Sequence, residues 1–103
     1  MIVNVNDKNF DLVVGKCSFL IIDLWANWCA PCRALGEIID KIAGKYSDVT
    51  FGKVDIDSNP ETVNKFNIKS IPTLLIFKDG KHIKSLIGSR SESDLISEIN
   101  KLK

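Results

Sequence analysis

Two cysteines separated by two residues, Cys29-Ala30-Pro31-Cys32, are the most reactive grouping in the chain. Thiols at that spacing either cycle between dithiol and disulfide or supply two ligands to a metal. They fall where an apolar run, Phe19 to Ala26, gives way to a helical pattern. The first turn of a helix leaves backbone N–H groups unpaired and gathers partial positive charge, which stabilises a thiolate at Cys29. Cys32 lies one turn further on and on the same face, so the two sulfurs can bond with little backbone movement. Its thiol is expected to be the less exposed and to act as the resolving group. Ala30 and Pro31 stiffen the turn, and proline is tolerated there because no N–H is required. In the resulting cycle Cys29 attacks a disulfide sulfur and forms a mixed disulfide. Cys32 then attacks Cys29, which leaves a Cys29–Cys32 disulfide for an external reductant to reopen.

Asp23 lies six residues before Cys29, within Leu20-Ile21-Ile22-Asp23-Leu24-Trp25. A carboxylate is costly to bury and responds by keeping its proton to higher pH. It either accepts the proton of Cys32, through a water, or sits on an exposed strand edge. The first reading is preferred because perturbed acids cluster at reactive sites. Ile71-Pro72-Thr73 places a proline at the start of a buried strand. Its peptide bond is either cis, turning the backbone of Ile71 outward toward a substrate strand, or an ordinary trans bond; spacing does not separate the two.

The metal alternative has Cys29 and Cys32 holding zinc, or sharing an iron–sulfur cluster across a dimer. Structural zinc takes four ligands, and beyond this pair the chain has only Cys17 and His82, both distant in sequence. No metal site is therefore expected. Cys17 reads as a small buried or half-buried apolar residue, and His82 as a solvated one beside a turn. A third alternative, an interaction module that uses a groove but not its thiols, is disfavoured by an intact CxxC accompanied by Asp23.

The elements that must hold these residues follow from periodicity. Ile2 to Val5 alternates as a short edge strand, and Asp7 through Val14 has helical spacing ended by Gly15. Phe19 to Ala26 is apolar on both parities, as in a strand buried on both faces. Leu35, Ile38, Ile39, Ile42, Ala43 and Tyr46 form the stripe of a long amphipathic helix starting near Cys29. Val49 to Ile56 reads as a second buried strand. Asn59 can cap a short helix with Pro60 in its first position, and Ser58 with Glu61 resembles a capping box. Thr73 to Phe77 and His82 to Ile87 pair across Asp79-Gly80, and Ser91 opens a final helix carrying Leu95, Ile96, Ile99 and Leu102. The order β-α-β-α-β-α-β-β-α predicts an α/β fold with a mixed central sheet and helices on both faces.

The 103 residues, 45% hydrophobic and 26% charged, suit one domain over 1–103. Fourteen Lys+Arg against thirteen Asp+Glu give a formal charge of +1, which predicts neither nucleic acid nor an anionic membrane as partner. The N-terminus lacks the basic and apolar regions of a signal peptide, and no apolar run is long enough to span a bilayer. A cytoplasmic location is expected.

The segment Asp23-Leu24-Trp25-Ala26-Asn27-Trp28-Cys29-Ala30-Pro31-Cys32, followed by Val54-Asp55-Ile56-Asp57, Ile71-Pro72-Thr73, Lys78-Asp79-Gly80 and Gly88, resembles the bacterial thioredoxins in order and spacing over nearly the whole chain. CxxC alone is a weak signal; its combination with Asp23, both tryptophans and Ile71-Pro72-Thr73 is highly specific. Thioredoxins are themselves a standard example of the lowered cysteine pKa, and the resemblance implies the same for Cys29. The resemblance implies the thioredoxin fold, four helices around a mixed sheet, and protein-disulfide reduction. It implies Cys29 as nucleophile, Cys32 as resolver, Asp23 as buried acid with Lys53 as its basic neighbour, and a cis Pro72. Trp28, Ala30, Pro31, Ile71, Pro72 and Gly88 would contact the substrate. No bound cofactor is implied; the reducing equivalents would come from NADPH through a flavoprotein thioredoxin reductase, and a monomer would serve disulfide-containing client proteins. Three departures stand out. Ala30 replaces the family's usual Gly, Leu24 a usual Phe, and Gly36-Glu37 the region of a kinking Pro. Either Gly36 supplies the bend or the helix is straighter here.

Overall fold

The computed structural model describes residues 1–103. The elements run β1 (Ile2–Asn4), α1 (Phe10–Lys16), β2 (Phe19–Trp25), α2 (Ala30–Ala43), β3 (Thr50–Asp55), α3 (Pro60–Lys65), β4 (Thr73–Lys78), β5 (Lys81–Ile87) and α4 (Glu92–Leu102). This is the order expected from the sequence. The five strands form one mixed sheet in the order β1-β3-β2-β4-β5. β3 pairs in parallel with β1 and β2, whereas β4 runs antiparallel to β2 and β5.

The double parity of Phe19 to Ala26 is explained by the position of β2 at the centre of the sheet. Phe19 and Ile21 face one core with Leu35, Ile39 and Ile42 of α2 and Leu95 and Ile99 of α4. Leu20, Ile22 and Leu24 face the other, with Val5, Phe10, Val54, Leu75 and Phe77. Because side chains alternate along a strand, Asp23 shares the α2 face with Ile21. Lys53 shares it with Phe51 by the same parity, and the register sets Asp23 directly opposite Lys53. The strands approach closely at Gly52, where a Cβ would fall 2.7 Å from Ile22 Cδ1 and 2.8 Å from Val5 Cγ2. Asp79 and Gly80 both have positive φ, 52° and 82°, as the two-residue hairpin turn demands.

Two local expectations are corrected. The first helix begins at Phe10, not Asp7, and includes Gly15. Residues 6–9 instead form a turn in which Asn6 Oδ1 accepts from the backbone N–H groups of Lys8 and Asn9. The Ser58–Glu61 capping box does not form. The backbone N–H groups of Glu61 and Thr62 donate to the carboxylate of Asp7, at 3.1 and 2.9 Å, and the Thr62 hydroxyl adds a bond of 2.7 Å. Asn59 makes no side-chain cap; it ties Asp7 to Asp55 by accepting from the Asp7 N–H and donating to the Asp55 carbonyl. α2 runs unbroken through Gly36. No helix is long and apolar enough to cross a membrane.

Candidate active site

The site lies where the end of β2 meets the start of α2. Cys29 is the N-cap of α2, its backbone extended at φ −100° and ψ 106°, and Pro31 occupies the first turn. Cys29 and Cys32 are joined in a disulfide with Cα atoms 5.3 Å apart, inside the usual range. The Cys32 N–H donates to Cys29 Sγ at 3.2 Å, so one of the orphan amides of the helix start points at this sulfur. The two cysteines are 6% and 4% exposed. The expected contrast in exposure is therefore slight in the disulfide form, because the bond draws both sulfurs onto the same cluster with Ala26, Trp25, Ile56 and Ile71.

The remaining rim comes from three loops. Trp28, Ala30 and Pro31 are exposed, Trp28 to 65%. The Trp28 indole N–H donates to Asp57 Oδ2 at 2.9 Å, which holds the ring over the loop after β3. The Ile71–Pro72 bond is cis, Pro72 is buried, and Ile71 packs against the cysteine cluster. Gly88, at φ 94°, donates its N–H to the Pro72 carbonyl at 2.9 Å. Together Trp28, Ile56, Val63, Ile68 and Ile71, with Lys69 and Ser70, line a groove of about 320 Å³ beside the disulfide.

Beneath the disulfide, Asp23 is 1% exposed and neither of its oxygens has a hydrogen-bond partner. Its compensating charge is the Lys53 ammonium, with Nζ 3.5 Å from Oδ2. Burial pushes the carboxyl up to about 6 from 3.8, against the attraction of Lys53, which lowers it. The reading of Asp23 as an exposed edge residue is thereby excluded. Asp23, Lys53, Trp25, Cys32, Arg33 and Gly36 share a cavity of about 290 Å³ with Ala26 and Asn27, so a water has room between the acid and Cys32.

All ten residues singled out from the sequence lie around this one end of the sheet. Ile56 and Asp57 receive no site role from the sequence, although both stand in the family-like stretch Val54-Asp55-Ile56-Asp57; they reach the site from just beyond β3. No group of three or more His, Cys, Asp or Glu is placed to hold a metal. Cys17 is half-buried against the core on the α1 side. His82 is exposed, as expected, yet its ring packs on Phe66 and Phe77 at centroid distances of 5.4 and 5.2 Å.

Comparison with known proteins places this geometry. The family model described as Thioredoxin matches residues 1–101. The chain is 36% identical over 100 residues to thioredoxin of Mycobacterium bovis, covering 95% of this chain and 86% of that protein. It is 38% identical over 101 residues to thioredoxin of Staphylococcus saprophyticus, covering 97% and 96%. A solved structure of a point mutant of thioredoxin from Halobacterium salinarum superimposes with a TM-score of 0.91 at 26% identity, covering 97% of this chain and 88% of the other. With a Cys29–Cys32 pair at bonding distance in this fold, the chain belongs to the thioredoxin family and is a protein-disulfide oxidoreductase that works through that couple.

Proposed function

We propose that the chain acts as a single reductase domain in which Cys29 is the attacking thiolate, Cys32 the resolving thiol, and Asp23 with Lys53 the acid–base pair serving Cys32. The observation that supports this assignment is the shared cavity: a buried carboxyl with no hydrogen-bond partner, the Lys53 ammonium and the second cysteine line the same space. In the reduced protein, Cys29 thiolate attacks one sulfur of the client disulfide, and the other client sulfur leaves as a thiolate and takes a proton. Asp23 accepts the Cys32 proton through an intervening water. Cys32 then displaces the second client sulfur from Cys29, and the client gains two electrons and two protons overall. An acid poised near neutrality suits this transfer, since it is ionised when the thiol must be deprotonated yet basic enough to accept the proton.

Trp28, Ala30, Pro31, Ile71, Pro72 and Gly88 receive the client segment, and the apolar groove beside Ile71 supports that assignment. The chain binds no cofactor of its own, and NADPH resets the couple through a flavoprotein thioredoxin reductase. It acts as a monomer in the cytoplasm on disulfide-containing proteins, with no nucleic acid or membrane partner. Insulin-disulfide reduction with Cys29→Ser and Cys32→Ser tests the roles. The first variant loses turnover, and the second accumulates mixed disulfides with its client. Turnover surviving Cys29→Ser overturns the assignment.

A further inference from the structure

The sequence leaves Gly36 unexplained. It is the seventh residue of a 14-residue helix, a position where glycine is disfavoured more than any residue except proline. The helix neither ends nor breaks there, and Gly36 is not among the residues with positive φ, so the backbone makes no demand for glycine. Space does. A Cβ at Gly36 would have one heavy atom within 4 Å outside its own helix backbone, the Lys53 Nζ, at 3.3 Å. Gly15, also helical, would meet nothing within 4 Å.

We infer that the missing side chain at Gly36 makes room on the underside of α2 for the Lys53 ammonium, so that Gly36 is a positioning residue for the Asp23–Lys53 pair. This deepens the acid–base reading above and rests on it for its catalytic meaning. Lys53 enters from β3, directly opposite Asp23 on β2, and its ammonium stands 3.5 Å from Asp23 Oδ2. The same cavity carries Gly36, Cys32 and Arg33 from α2. From β4 the residue opposite Asp23 is Leu74, which brings no charge. Lys53 is therefore the cation in direct ion pairing with Asp23, while Arg33 is turned to the Asn27 carbonyl, to which it donates at 2.9 Å.

A methyl group at position 36 crowds Nζ. The carboxyl is 1% exposed and enclosed, whereas the Lys53 side chain is 20% exposed, so the ammonium yields toward water. Asp23 then loses part of the attraction that favours its ionised form and keeps its proton to higher pH. A retreat of about 0.3 Å at an effective dielectric near 20 corresponds to roughly 0.3 pH unit.

The test is an NMR titration of the Asp23 side-chain carboxyl in the oxidised protein, where Cys29 and Cys32 do not titrate. It is run on wild type, Gly36→Ala, Lys53→Met and the double variant, with Gly36→Ser as a second substitution and Gly15→Ala as control. The Asp23 midpoint is expected to rise by about 0.3 pH unit in Gly36→Ala and Gly36→Ser, to stay in place in Gly15→Ala, and to be indifferent to residue 36 once Lys53 is Met. An unchanged or lowered midpoint in Gly36→Ala overturns the inference. So does an equal rise in the Lys53→Met background, which would make the methyl a desolvating group only. A wild-type pH–rate profile with no limb at the Asp23 midpoint sinks the acid–base reading, while the NMR cycle still decides the role of Gly36.

Discussion

Asp23 holds its proton to about pH 6 because the fold encloses it and offers one cation at 3.5 Å in return. Its folded-state pKa is raised above the unfolded value of 3.8, so between pH 4 and 6 the native state binds more protons than the unfolded chain, and stability falls as pH rises through that window. Above pH 6 the full cost is present, on the order of 2–3 kcal/mol for a shift of this size. Asp23→Asn removes the titration. Denaturant unfolding should show it to be more stable than wild type at pH 8 by about 2 kcal/mol, with the difference shrinking toward pH 4. Its client reduction should be slower, because the acceptor for the Cys32 proton is gone. A destabilised variant with a normal rate would remove Asp23 from the mechanism. Ala30 acts on the same couple more weakly. It is the exposed first residue of α2, so Ala30→Gly changes backbone preference without changing packing. That preference is worth at most about 1 kcal/mol, equivalent to roughly 20 mV for a two-electron couple. Equilibration of Ala30→Gly and wild type against glutathione should give potentials within that interval; a larger difference would mean that residue 30 acts through something other than backbone preference.

At the scale of elements, α3 depends on a residue that belongs to neither it nor its immediate approach. Burial works against ionisation of Asp7, but the bonds from Thr62 and Glu61 outweigh it and hold the carboxyl below its usual range. A depressed folded-state pKa contributes stability that is present above the unfolded pKa and lost as pH falls through the folded one. Asp7→Ala should therefore lower the melting temperature at pH 7, and its deficit relative to wild type should narrow as the medium is acidified below the carboxylate range. An equal deficit at every pH would show that the bonds do not depend on the charge. This cap marks where the sequence stops being legible. β2 and α2 could be read because each is written in one continuous stretch: two apolar parities for the central strand, and one apolar stripe for the helix. The cysteines, Asp23 and Ile71-Pro72 were readable for the same reason, with the family's spacing to join them. The Asp7–Thr62 bond spans 55 residues and the Trp28–Asp57 bond 29, and no local pattern announces either. Gly36 was visible but its meaning was not, since the atom that needs the space belongs to another strand. Gly52 is a further such case. Gly52→Ala pushes a methyl against Ile22 and Val5, and should destabilise the fold by about 1–3 kcal/mol in chemical unfolding.

Across the whole molecule, the disulfide, the buried acid and the apolar groove gather at one end of the sheet. The groove lies on the outer side of the cysteine cluster and the Asp23 cavity on the inner side, and Ile71 borders the first without lining the second. On the proposed assignment, binding and proton transfer use different faces of the same disulfide, so a substitution in the groove should change one without the other. Ile71→Asp places a charge where an apolar client segment would rest. A small disulfide reagent needs only access to Cys29, whereas a folded client must also desolvate the groove. Ile71→Asp is expected to raise KM for insulin about tenfold, which corresponds to roughly 1.4 kcal/mol of lost contact. Its rate with a small aromatic disulfide should stay within about twofold of wild type, and the Asp23 midpoint should not move. If both substrates slow equally, Ile71 supports the geometry of the cysteine pair itself, and recognition of clients must be sought elsewhere on the surface.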